Sequence, residues 1–292
     1  MLEKLKNPEL VVATKPKFML SGESGTGKTT FALEFPKPIL VDSEKGATRI
    51  QYQEKLKKNG GMYFGQEEGS QNFTEVIKLV KALSTEKHDY KTLIIDSFSY
   101  LYMLEAASAE ATGGSEFGRD KKMANIPTRQ LITALEHCDM NVILICHSKV
   151  KWEKKGKDII ESGTTFDGFD KLEYILDLWC EILRGGKTFV VKKSRIESFQ
   201  PLSSHPLSYD KFAELYGKDV IEKDPTPVVL ANSAQLIQMG KLIETLNISQ
   251  EQQAKVLDKF GVDSFAELTE DQIQKCIEPL QKKIKELSTE KK

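Results

Sequence analysis

The chain has 292 residues, 39% hydrophobic and 29% charged, with a formal net charge of −1. That length accommodates one sizeable core plus a smaller module, and the balanced charge excludes bulk electrostatic attraction to nucleic acid, which must rest on local basic segments if it occurs. No apolar run is long enough to span a membrane, the opening MLEKLKNPELVV lacks a signal-peptide core, and the cysteines at 138, 146, 180 and 276 show no CxxC spacing, so a cytosolic protein with reduced thiols is expected, without membrane association.

In chain order, an N-terminal segment over 1–16 precedes short apolar runs that read as strands: KFMLSG (17–22), PILVDSE (38–44), TLIIDS (92–97), NVILICH (141–147), LWCEILRG (178–185) and TFVVKKSR (188–195). Helical patterns lie between them at KTTFALEF, NFTEVIKLVKALS, SFSYLYMLEAASAEA and IPTRQLITALEHC, the last opening with Pro127 near its first turn. Alternating strands and helices predict an α/β fold with a mostly parallel sheet over 17–224, and RGGK predicts a hairpin that makes one edge antiparallel. Prolines 225 and 227 mark a linker over 225–230. From 231 to 292 the pattern is helical only, predicting a three-helix module with Gly261 as a C-terminal cap, Thr269 opening the last helix and Pro279 kinking or dividing it.

GESGTGKT, Gly22 to Thr29, matches GxxxxGK[ST] with a strand before and a helix after. A polyphosphate is wrapped by successive backbone N–H groups, which only a loop low in side-chain bulk can aim inward, and the helix start adds partial positive charge. The predicted phosphate cradle is Gly22, Glu23, Ser24, Gly25, Thr26, Gly27, Lys28, Thr29 and Thr30. Lys28 reaches the β- and γ-phosphates, Thr29 holds Mg²⁺, and Thr30 is a candidate for the α-phosphate. Asp96 ends an apolar strand and is predicted to hold the same metal, with a helix N-cap as the alternative. Glu44, just past the strand that follows the loop's helix, is the leading candidate to orient the attacking water, ahead of Asp42; either is also compatible with a turn role.

With those strand ends placed, residues 17–200 resemble the ATPase core of RecA-like recombinases, and more closely the phage RecA-like P-loop ATPases grouped with Sak-type single-strand annealing proteins. The resemblance rests on the order GESGTGKT, VDSEKGA, LIIDS, a helix and polar loop, ILICHS, a long basic loop, TTFDGFDKLEYILDLWCEI and FVVKKSRIESF. It implies a catalytic role for Glu44 and places His147 where relatives carry a side chain that touches the γ-phosphate and moves the following loop. It makes that loop, with Lys149, Lys151, Trp152, Lys154 and Lys155, a DNA-binding segment in which lysines neutralise phosphates and the indole stacks on a base. Residues 111–125, with Arg119, Lys121 and Lys122, fall on the first DNA loop. Lys193 and Arg195, two apart on a strand and so on one face, match a pair sent across a subunit boundary to a neighbour's γ-phosphate, whereas Lys192 faces the other way.

The resemblance therefore implies an ATPase using Mg²⁺ that binds single-stranded DNA, forms a ring or filament of identical subunits, and acts in recombination or annealing in phage or bacterial cytosol. A helicase-like ring motor, a nucleotide-gated scaffold with a partner on the C-terminal helices, and a small-molecule kinase are the alternatives; the kinase lacks an arginine-rich lid.

Overall fold

The computed structural model describes residues 14–113, 119–156 and 158–289. Its strands are β1 (Lys17–Gly22), β2 (Pro38–Asp42), β3 (Met62–Phe64), β4 (Thr92–Asp96), β5 (Asn141–Lys155), β6 (Asp158–Phe166), β7 (Leu178–Ile182), β8 (Thr188–Ser194) and β9 (Ser204–Pro206). They form one sheet in the order β3-β2-β4-β5-β1-β7-β8-β9, with β6 paired to β5 alone. Pairs from β3 through β7 are parallel, and β7–β8 and β8–β9 are antiparallel, as the RGGK hairpin predicts. The fold is α/β with a mixed, mostly parallel sheet.

Burial explains why these strands were legible. β2 is buried at every position, and β1, β4 and the first six residues of β5 nearly so, which is the continuous apolar run of a parallel strand covered on both faces. β8 alternates instead, as an antiparallel strand near an edge does. β3, β6 and β9 were not predicted.

The helix after the phosphate loop, Lys28–Ala32, has only five residues and so depends on tertiary packing. Phe31 supplies it: its ring meets Phe35 edge-on at 5.6 Å and lies 6.2 Å from Phe212, which stacks on Phe18 of β1 at 4.8 Å. Aromatic pairs of this kind contribute about 0.5–1.5 kcal/mol each beyond their area burial. The loop is thereby anchored to the strand that precedes it.

One helix expectation needs correction: the helix predicted to open at Pro127 runs Arg119–His137, so this proline lies inside it. Of the two alternatives for Pro279, the structure has the undivided one: Glu270–Thr289 is a single helix that contains it. Gly261 takes the left-handed conformation at its helix end (φ 64°), and Thr269 exchanges hydrogen bonds with Gln272 in a capping box.

Compactness groups residues differently from linear order. One unit comprises Met1–Val76, His88–Thr128 and Asp139–Pro225; the other joins Thr226–Lys292 to Ile77–Lys87 and Arg129–Cys138. The second has its own core of Met239, Leu242, Leu268, Ile273 and Ile277. Within it Lys81 pairs with Glu267, and Gln272 bonds the His137 ring at 3.2 Å.

A candidate nucleotide site at the strand ends

The parallel strands deliver their C-terminal ends to one crevice, where ligands of open α/β sheets bind. In register, Gly22 of β1 lies beside His147 of β5, and Asp42 of β2 beside Asp96 of β4. The crevice is lined by Gly22, Glu23, Ser24, Gly25, Lys28 and Thr29 of the predicted cradle together with Glu44, Asp96 and His147.

In the loop, Gly25 (φ 77°) and Gly27 (φ 92°) take conformations that side chains disfavour, turning the backbone into the helix. Lys28 donates to the carbonyls of Gly22 and Glu23, both at 2.7 Å. Burial lowers its pKa, with the carboxylates of Asp96 and Glu44 opposing. Thr26 is buried and its hydroxyl donates to the Glu23 carbonyl at 2.9 Å. Thr30 is exposed and does not line the crevice; its carbonyl accepts from Lys55.

Thr29 donates to Asp96 at 2.6 Å, which joins the loop to the end of β4. Burial pushes the Asp96 carboxyl up to about 6, reinforced by Glu44 and Asp42 and opposed by the Thr29 hydrogen bond and Lys28. Two hard oxygen groups side by side, with no cluster of three His, Cys, Asp or Glu among the described residues, suit Mg²⁺ held by few protein groups and by phosphate oxygens, not a metal in an all-protein cage.

The acid that ends β2 and the one just past it both line the crevice but have different partners. Asp42 is buried and accepts from the N–H groups of Glu44, Gly46 and Ala47 and from the Tyr63 hydroxyl, so its oxygens shape the turn. Glu44, which that turn presents, meets the His147 ring: Nε2 to Oε1 is 2.8 Å. Ser97 also donates to Glu44. The His147 hydrogen bond holds Glu44 below the usual carboxylate range, and the same bond raises the imidazole against the effect of burial.

His147 sits at a junction. It is the last β5 residue paired with β1, and Ser148 is the first paired with β6. Its backbone is pinned by the Ser99 hydroxyl, which accepts from the His147 N–H at 2.9 Å, and by the Asp167 N–H, which donates to the His147 carbonyl at 2.8 Å.

The predicted basic loop is instead an antiparallel hairpin, β5 continuing outward and β6 returning, with Gly156 (φ 66°) at its turn. The hairpin also sets acids among the lysines, from β6, from the residue after it and from β5 itself. Lys155 lies opposite Asp158 and Trp152 opposite Glu161. Lys149 pairs with Asp167 at 2.9 Å and Lys151 with Glu153 at 2.7 Å, whereas Lys154 and Lys155 form no ion pair among the described residues. Trp152 is 62% exposed, with Ile159 and Ile160 also exposed. The candidates Arg119, Lys121 and Lys122 fall on the helix Arg119–His137, with side chains outside the described residues.

Lys193 donates to the Leu176 carbonyl and Arg195 to those of Ile175 and Tyr174, so both close the C-terminal end of the helix Leu172–Ile175 in their own chain. Neither lines the crevice. Lys192 points elsewhere, to Glu181 at 3.0 Å, in keeping with strand alternation.

Tyr52, Ser97 and Ser148 are residues at the site that sequence reasoning missed. Ser97 carried a usable signal, its place beside the strand-end Asp96; Tyr52 lies on the helix Ile50–Lys58, which no motif flagged.

No described helix is long and apolar enough to cross a membrane. A search of curated proteins finds no match. The AAA domain family matches residues 14–206, more than half of the chain and the whole of the crevice, so the chain belongs to the AAA family of P-loop ATPase domains and carries its ATP-type nucleotide site.

Proposed function

We propose that this chain is an ATP-dependent, single-stranded-DNA-binding recombination or annealing protein of the RecA-like, Sak-related kind, which assembles from identical subunits and hydrolyses ATP at their boundaries. One observation carries the reading: the imidazole that meets Glu44 stands on the strand that runs on, unbroken, into the exposed hairpin. A group that contacts the reacting end of a nucleotide and also roots a projecting arm can report hydrolysis to whatever the arm holds.

In this mechanism the loop N–H groups and Lys28 balance the charge of the phosphates. Thr29 and Asp96 would hold Mg²⁺, which when bound screens the phosphate oxygens. Glu44, kept ionised by His147, orients water for attack on the terminal phosphorus. Engaging that water loosens the Glu44–His147 contact, and the ring takes a new partner as the phosphate leaves. Trp152, Lys154 and Lys155 are the residues offered to DNA. The reading in which Lys193 and Arg195 serve a neighbouring subunit requires them to release the carbonyls of Tyr174, Ile175 and Leu176.

ATP hydrolysis measured with and without single-stranded DNA tests the proposal. Stimulation is expected; a rate indifferent to DNA would overturn the DNA reading while leaving the ATPase intact. A second reading, a nucleotide-gated scaffold, is favoured by the acids of β6 and by exposed Ile159 and Ile160, which suit a protein partner better than a polyanion. In that reading the C-terminal helices offer a further partner surface.

A further inference from the structure

The turn between β7 and β8, Leu183-Arg184-Gly185-Gly186, abuts the back of the phosphate loop. It is closed by the Gly186 N–H donating to the Leu183 carbonyl at 3.0 Å, and Gly185 (φ 101°) fills the third position, where such a turn needs positive φ. Gly186 has a different reason to be glycine. A Cβ there would stand 2.8 Å from the Thr26 carbonyl oxygen, which is backbone, whereas a Cβ at Gly185 would meet nothing within 4 Å. The approach is reciprocated at the start of the loop, where a Cβ on Gly22 would lie 2.9 Å from the Ile182 carbonyl oxygen. The ion pair that also joins turn and loop, Arg184 to Glu23 at 3.3 Å, has side chains 89% and 59% exposed, and such pairs fix little. Backbone contact, not charge, sets the fit.

The Thr26 carbonyl shares one rigid plane with the N–H of Gly27, the residue before Lys28. A shove on that oxygen therefore tilts a donor of the phosphate nest. We infer that Gly186 is a positioning residue of the nucleotide site: by presenting a bare Cα to Thr26 it sets the orientation of the Thr26–Gly27 peptide that faces the phosphates. The inference rests on the reading of the loop as a nucleotide cradle.

The test titrates MgATP into the wild-type chain, Gly186→Asn and Gly185→Ala by calorimetry, with thermal unfolding of each recorded without nucleotide. Asparagine tolerates the φ of 65° at Gly186, so this variant adds a side chain with little backbone strain. Gly185→Ala carries strain in the same turn without reaching the loop. Gly186→Asn is expected to unfold cooperatively and bind MgATP about tenfold or more weakly, the effect of one lost hydrogen bond to a charged group, with Gly185→Ala within about threefold of wild type. Equal affinity of Gly186→Asn and wild type, equal losses in both variants, or loss of cooperative unfolding in Gly186→Asn would each overturn the positioning role. A wild-type chain that fails to bind MgATP would overturn the cradle reading, and this inference with it.

Discussion

The crevice and the hairpin meet at His147, yet they are built on opposite principles. Around the crevice every functional group is fixed by neighbours: Asp42 by three backbone N–H groups, Asp96 by Thr29, Glu44 by His147 and Ser97. On the hairpin the side chains mostly face solvent, and two of its lysines are answered by acids, Lys149 by Asp167 just past the returning strand and Lys151 by Glu153 on its own strand. Preorganised groups suit chemistry on one small molecule, whereas an exposed, mixed surface suits an extended partner.

Removing the crevice's organising acid should have the largest effect. Glu44→Gln is expected to cut ATP hydrolysis by about 10²–10⁴-fold, the range for a positioned acid–base group, while MgATP affinity by calorimetry stays near wild type. Parallel loss of both would mean that Glu44 serves binding and not the reaction.

On the hairpin the contrast between lysines in ion pairs and those with none among the described residues gives a smaller, sharper prediction. Lys154→Ala with Lys155→Ala should reduce the magnitude of the log–log salt slope for single-stranded DNA by about 1.4, at about 0.7 per phosphate contact. Lys149→Ala with Lys151→Ala should change it less, because each lysine already neutralises an acid. Equal changes in both double variants would erase the distinction.

The smallest effect concerns pH. The folded protein raises the pKa of His147 and lowers that of Glu44, from ordinary values of 6.5 and 4.5. The histidine's contribution to stability is full below 6.5 and is lost as pH rises through its raised value; the glutamate's is full above 4.5 and is lost as pH falls through its lowered value. The pair thus stabilises most between these limits. Glu44→Gln should move the His147 titration, followed by NMR, down toward its ordinary value; an unmoved midpoint would mean that the ring answers to something else.

The same contrast explains what the sequence disclosed. β1, β2, β4 and the inner half of β5 are apolar runs that stop at Gly22, Asp42, Asp96 and His147, so buried parallel strands announce both themselves and the polar groups at their ends. Placement past the strand ranks Glu44 ahead of Asp42 in the sequence, but the turn-shaping role of Asp42 was not legible, since it depends on which oxygens the backbone of 44–47 captures. The hairpin was hidden because a solvated strand has no apolar run, although Gly156 between two extended stretches was a turn signal. Its charge pairing was hidden for the same reason: that Lys149 meets Asp167, eighteen residues on, follows only once the hairpin register is known. Lys193 lies on β8 and Arg195 just beyond its end, and their partners, three carbonyls around the end of one short helix, have no mark in the sequence.

The most direct measurement follows the emission of Trp152 as MgATP is added. The chain has two tryptophans, and Trp179→Phe leaves Trp152 as the reporter on the hairpin. With His147 present, nucleotide should change the emission; in His147→Ala, MgATP should still bind while the emission stays constant. An equal response in the two proteins, or none with His147 in place, would contradict the claim that this ring links the nucleotide to the arm.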